Sequence, residues 1–129
     1  MTFDEVAAIA LGLPGATEAE RHGNRTWFVA GKAFAWERPF SKADIRRFGD
    51  EEPPAGAILA LRVADLEEKE AVLAMNPGHF FTIPHFNGFA AVLVKLETVR
   101  KKQLREAVVD AWLACAPDRL VAEHLRRKP

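Results

Sequence analysis

Four histidines, one cysteine and one serine are the side chains of this 129-residue chain most apt to bind a metal or act as a nucleophile. His79 and His85 invite a metal reading, but two ligands are too few, and neither a cysteine nor clustered carboxylates lie between them. On a single strand their spacing would put both on one face about 20 Å apart, a gap that only a bend at Pro84 could close. No metal or cofactor is therefore expected. Cys115 falls on an apolar helical stripe, which predicts a small, inert core residue rather than a nucleophile. Ser41 has no Gly-x-Ser-x-Gly context. Gly31-Lys32 lacks the further glycines, the Ser/Thr and the helix of a phosphate loop.

Carboxylates are plentiful, as in Asp50-Glu51-Glu52 and Glu67-Glu68-Glu70. They fall in caps, loops and helix faces, where solvated acids are the default. Nothing marks a pair whose environments would split their pKa values for acid–base work. The expectation is a binding module, not an enzyme. An enzyme assembled from scattered residues ranks third among the readings.

Basic residues form three small groups: Lys42-Arg46-Arg47, Arg100-Lys101-Lys102 and Arg126-Arg127-Lys128. The second opens a helix, where positive charge is mildly unfavourable for the dipole. The third belongs to the chain end. The first lies beside Phe40 and Phe48, and cations mixed with aromatics are what single-strand binders use. The candidate nucleic-acid or partner-binding residues are therefore Lys32, Lys42, Arg46, Arg47, His85 and Asn87. The competing reading of that segment is a solvated loop with its phenylalanines folded back onto the sheet. A different class of function is a protein- or small-ligand-interaction module, using the sheet and hairpin loops near Trp27, Trp36 and His85.

These residues need a scaffold, and the apolar pattern supplies one. Thr2 with Glu5 makes a capping box, and Phe3, Val6, Ala7, Ala10 and Leu13 follow at helical spacing. Leu13-Pro14-Gly15 stops that helix. Strands are predicted over 25–30 and 33–38, joined by Gly31-Lys32 as a type II′ turn, with Trp27 and Val29 on one face and Phe34 and Trp36 on one face. Residues 39–56 read as a surface excursion, in which Ser41 and Asp44 cap a single helical turn through Arg47. Leu59, Leu61 and Val63 alternate as a third strand.

Asp65 with Glu68 caps a second helix ending near Asn76-Pro77-Gly78. Runs 79–86 and 89–96 flank Asn87-Gly88, which predicts a type I′ hairpin. Pro84 within the first run predicts an edge position or a bulge. Leu104, Val108, Ala111, Trp112 and Cys115 form one face of a long helix, and Leu120, Val121 and Leu125 mark a tail helix. The expected fold is α+β in one domain over 1–129. It is two-layered, with a five-stranded antiparallel sheet and helices on one face, in the order α-β-β-β-α-β-β-α plus the tail helix.

Several of these segments resemble the MmcQ/YjbR-like family of small bacterial proteins. They are Thr2-Phe3-Asp4-Glu5-Val6, Leu13-Pro14-Gly15, Gly31-Lys32-Ala33-Phe34-Ala35, Pro84-His85-Phe86-Asn87-Gly88 with Val92-Leu93-Val94, and Asp110-Ala111-Trp112. The resemblance implies a fold similar to secretion chaperones, α-β(3)-α-β(2)-α around an antiparallel sheet. It also implies the DNA-binding label that the family often carries, and it supplies no catalytic residues. The 39–56 segment is longer than the family's basic form.

Composition narrows the partners. Eighteen basic residues balance eighteen acidic ones, so no global field draws the chain to nucleic acid or anionic membrane, and any attraction must be local. No apolar run approaches the roughly 20 residues of a spanning helix. The acidic opening Met-Thr-Phe-Asp-Glu is unlike a secretory signal. With one cysteine, no internal disulfide can form. These features predict a cytoplasmic protein without a membrane partner.

Overall fold

The computed structural model describes residues 1–127, and Lys128 of the third basic group lies outside them. Helix α1 (Phe3–Leu11) opens on the predicted Thr2–Glu5 capping box. Strands β1 (Ala16–Arg21), β2 (Asn24–Val29) and β3 (Lys32–Glu37) follow, then the short helix α2 (Lys42–Arg47) and strand β4 (Ile58–Arg62). Helix α3 (Leu66–Met75), strands β5 (Phe80–Phe81) and β6 (Ala91–Lys95), and helices α4 (Lys101–Cys115) and α5 (Asp118–Arg127) complete the chain. A 3₁₀ turn at Pro84–Phe86 lies between β5 and β6. The sheet is antiparallel with order β1-β2-β3-β4-β6-β5.

Six strands stand where five were expected. The added one is β1, which carries Glu18, Glu20 and Arg21 and buries almost nothing. It is an edge strand, and its charges, which blunt edge-to-edge pairing, are what hid its strand character. Its turn into β2 uses His22 and Gly23 at φ +54° and +78°, a type I′ geometry without the Asn-Gly signature.

Two turns differ from expectation. The β2–β3 hairpin turns on Ala30-Gly31, both at positive φ, with Val29 opposite Lys32. It is thus type I′ and lies one residue earlier than the predicted type II′ turn. A bulge then inserts Phe34 between the pairs Phe28–Ala33 and Trp27–Ala35. That extra residue sends Phe34 and Trp36 to opposite faces instead of one.

The predicted hairpin at Asn87-Gly88 is also replaced. Asn87 at φ −59°, ψ 128°, and Gly88 at φ +77°, form a type II turn closed by Phe89 N–H donating to the Phe86 carbonyl at 3.0 Å. The turn lies inside a loop from 82 to 90 that joins β5 to β6, not at a strand end. Pro84 explains the early end of β5: it cannot donate to a ladder, so it opens the 3₁₀ turn instead.

The main core lies between the sheet and α1, α3 and α4. Trp27, Phe34, Leu59, Leu61, Val92 and Val94 meet Val6, Leu104, Val108 and Trp112 there. The predicted α4 stripe, Leu104 through Cys115, is buried as a unit. Leu120 and Val121 of α5 pack onto the same core, while Leu125 stays exposed. The Trp112 indole N–H donates to the Pro14 carbonyl at 3.0 Å, tying α4 to the end of α1.

The sheet's other face carries a second apolar cluster: Ile58, Ala60, Ala91 and Leu93 under Ile83 and Phe86, with Trp36, Phe40, Phe48 and Phe81 packed around them. The helices are therefore not confined to one face, because α2 and the 3₁₀ turn cover this second cluster. Phe40 and Phe48 meet edge-to-face at 5.4 Å, and Phe40 lies 6.2 Å from Phe81. The first part of the 39–56 excursion is thus folded onto the sheet, and its aromatics belong to packing.

Candidate functional site

The second cluster covers only the β4–β6 half of its face. Over β1, β2 and β3 the same face is hollowed. Two adjoining hollows there, of about 590 Å³ each, share Arg21, Trp36, Arg38 and His85 in their walls. Arg47 and Asn24 line one of them, and Lys32, Arg62 and Phe89 the other.

Register explains the gathering. Residues opposite one another across a sheet share a face. Ala19 faces Thr26, Thr26 faces Trp36, and Trp36 faces Ala60, which sets one row across four strands. Arg21 and Arg62 lie two residues along their strands from that row and so point to the same side. Arg38 enters from the end of β3 and His85 from the 3₁₀ turn.

The charges are held in specific ways. Arg21 extends over Phe28, Arg38 over Phe86 and Arg62 over Phe89, at 5.9, 5.6 and 5.2 Å from the ring centroids. Arg62 Nε also donates to the Ala90 carbonyl at 3.2 Å. Asp44, only 2% exposed, pairs with Arg38 at 3.0 Å and with Arg47 at 3.8 Å. Burial raises the Asp44 carboxyl, but hydrogen bonds from Ser41 and the Arg38 charge outweigh it and hold the group below the usual carboxylate range. Among the described residues Glu37 is the one carboxylate in the walls of the two hollows, and it accepts from the Arg25 backbone N–H.

Lys69 supports the rim from behind. It is 7% exposed, and its Nζ donates to the carbonyls of Phe86 and Phe89 at 2.7 and 2.9 Å. Desolvation lowers its pKa. These are the two ends of the type II turn, so α3 clamps the turn that carries Phe89.

Of the six predicted site residues, Lys32, Arg47 and His85 line the hollows. Lys42 and Arg46 are exposed on α2 outside them, and Asn87 is exposed at its turn, also outside. Trp27 is fully buried on the helical face, with its indole N–H donating to Glu18 at 2.9 Å, so it is separated from Trp36 by the sheet. His79 hydrogen-bonds Thr98 at 2.9 Å. Among the described residues no three His, Cys, Asp or Glu side chains converge as a metal site would require.

Arg21, Arg38 and Arg62 were not among the predicted residues. The alternation of Leu59, Leu61 and Val63 could have flagged Arg62 as facing the other side. Arg21 had no such signal, because its strand is unmarked by apolar residues. A larger hollow, about 850 Å³, lies on the helical layer among Ile9, Leu13, Val109, Leu113 and Leu125. Its charged lining is of both signs, with Lys101 and Arg105 beside Glu5, Glu106 and Asp110.

The fold and this face define a small α+β module with a cationic, aromatic concavity on a chain of no net charge. The chain belongs to the YjbR family, whose model matches residues 11–114. It is 44% identical over 127 residues to uncharacterised proteins of Mycobacterium tuberculosis and Mycobacterium bovis, covering 96% of this chain and 95% of theirs. Crystal structures of Deinococcus radiodurans protein DR2400 and of a Pseudomonas syringae protein are similar in fold. Each has a TM-score of 0.62, at 22% and 13% identity, covering 87% and 86% of this chain and 76% and 96% of those chains. Among the described residues no helix is long and apolar enough to cross a membrane.

Proposed function

We propose that this chain is a non-enzymatic binding module that holds nucleic acid in the concavity over β1, β2 and β3. One observation carries the reading. Arg21, Lys32, Arg38, Arg47, Arg62 and His85 line the hollows against the single carboxylate Glu37, although the chain as a whole has no net charge. A local cationic surface of this kind suits the phosphate backbone, which dominates nucleic-acid affinity.

Asp44 already engages Arg38 and Arg47, so Arg21, Lys32 and Arg62 are the cations available to phosphate. Three contacts correspond to a salt slope of about −3 on duplex and about −2 on single strands. Affinity then falls in the non-specific range of roughly 10⁻⁴ to 10⁻⁶ M at physiological salt. Titrating labelled oligonucleotides at two salt concentrations tests this. Arg21→Glu with Arg62→Glu should abolish binding, whereas Lys42→Glu with Arg46→Glu should leave most of it. Salt-insensitive binding, or loss only in the second pair, would sink the proposal.

A further inference from the structure

We propose that the concavity stacks an unpaired base on Trp36, so that it favours a single strand over a duplex; this rests on the nucleic-acid reading above. Trp36 is a wall common to both hollows, which places its ring between the two halves of the cationic surface. Phe89, 38% exposed, lies 6.2 Å from it, and the Arg62 guanidinium covers Phe89 in turn. Three planar groups thus adjoin at the surface, with the Trp36 and Phe89 rings tilted 40° to one another. Aromatic rings and guanidinium planes are the groups on which splayed bases stack.

The platform is pre-organised. Phe86 packs edge-to-face on Phe89 at 5.4 Å, and Lys69 holds the carbonyls at both ends of the turn. Arg62 is fixed by its bond to Ala90. A surface ring braced by a buried lysine loses little freedom when a ligand covers it.

Charge flanks the platform along the strands. Arg21 lies two residues beyond Ala19, at the β1 end of the row that holds Trp36, and Arg62 two residues beyond Ala60 on β4, in the opposite direction along the sheet. Each step is about 7 Å. A base on Trp36 would therefore have cations on both sides for the phosphates before and after it, as an internal nucleotide of a strand requires. Bases in a duplex are already stacked on each other and cannot reach such a platform without being extruded.

Fluorescence tests this directly, because Trp27 and Trp112 are fully buried and Trp36 is the accessible tryptophan. The probes are an eight-residue deoxythymidine oligomer, a blunt duplex of equal length and inorganic polyphosphate, each at low salt. The oligomer should quench emission saturably, and the other two should bind without quenching. Phe89→Ala should weaken the oligomer about fivefold to a hundredfold while leaving polyphosphate unchanged. Equal quenching by duplex, or an oligomer affinity untouched by Phe89→Ala, would overturn the stacking proposal and leave the electrostatic reading standing. Failure of all three probes to bind would overturn both.

Discussion

Replacing Asp44 with alanine should destabilise the protein by about 3 kcal/mol. The carboxylate accepts from the Ser41 backbone N–H at 2.9 Å, and its own N–H donates to Ser41 Oγ at 3.1 Å, so it is half of the box that caps α2. Losing its half of the cap costs about 1 kcal/mol. It also pairs with Arg38, whose side chain retains 17% exposure against 1% for Asp44. Breaking a fully buried pair costs about 3–5 kcal/mol, and the residual hydration of Arg38 reduces this to about 2. Asp44→Asn keeps an acceptor for Ser41 and should lose less, about 1–2 kcal/mol.

Urea unfolding followed by circular dichroism measures both variants. The pH dependence isolates the charge. Asp44 titrates lower in the folded protein than the ordinary aspartate value near 3.9, so its ionised form stabilises the fold above that pH and the contribution fades as pH falls through the folded pKa. The gap between wild type and Asp44→Asn should therefore be full at neutral pH and shrink below about pH 4. A gap constant from pH 5 to pH 2, or an alanine variant within about 1 kcal/mol of wild type, would refute the account. The alanine variant should also free Arg38 and Arg47, and its oligonucleotide salt slope should steepen by about 1 or more.

Cys115 is 7% exposed and burial raises its thiol pKa, so it should label slowly with a thiol reagent in the native protein and rapidly in denaturant. Gly88 holds φ +77° in open space, so Gly88→Val should cost more than about 1 kcal/mol through backbone strain alone. An unchanged urea midpoint would remove the turn assignment. Gly15 combines φ +69° with a would-be Cβ only 2.7 Å from Leu120 Cδ1, so Gly15→Ala should both destabilise the fold by about 1 kcal/mol or more and loosen α5. Faster amide exchange across α5 than elsewhere would show the second effect, and uniform exchange would deny it.

The caps of α1, α2 and α3 and the buried stripe of α4 were legible from short-range chemistry, because an i, i+3 cap and an i, i+4 stripe depend on neighbours within one or two turns. The alternation of Leu59, Leu61 and Val63 likewise announced β4. The sequence alone also bounded the electrostatics: with charges in balance, any anion site had to be a local cluster.

Tertiary structure decided the rest. Strand β1 exists because its backbone pairs with β2 along six residues, a long-range ladder that polar side chains do not advertise. The slide of the β2–β3 turn onto Ala30-Gly31 and the bulge at Phe34 set which face Trp36 occupies, and a one-residue change in register inverts that outcome. The candidate site followed from the same step. Arg21 comes from β1, Arg38 from just past the end of β3 and Arg62 from β4, 17 and 24 positions apart in the chain. Nothing local links them, and only the cross-strand register places them around one tryptophan. Of the cations that did cluster in the sequence, Arg47 reaches one hollow, while Lys42 and Arg46 sit on the solvent side of a helix whose apolar neighbours close the second core.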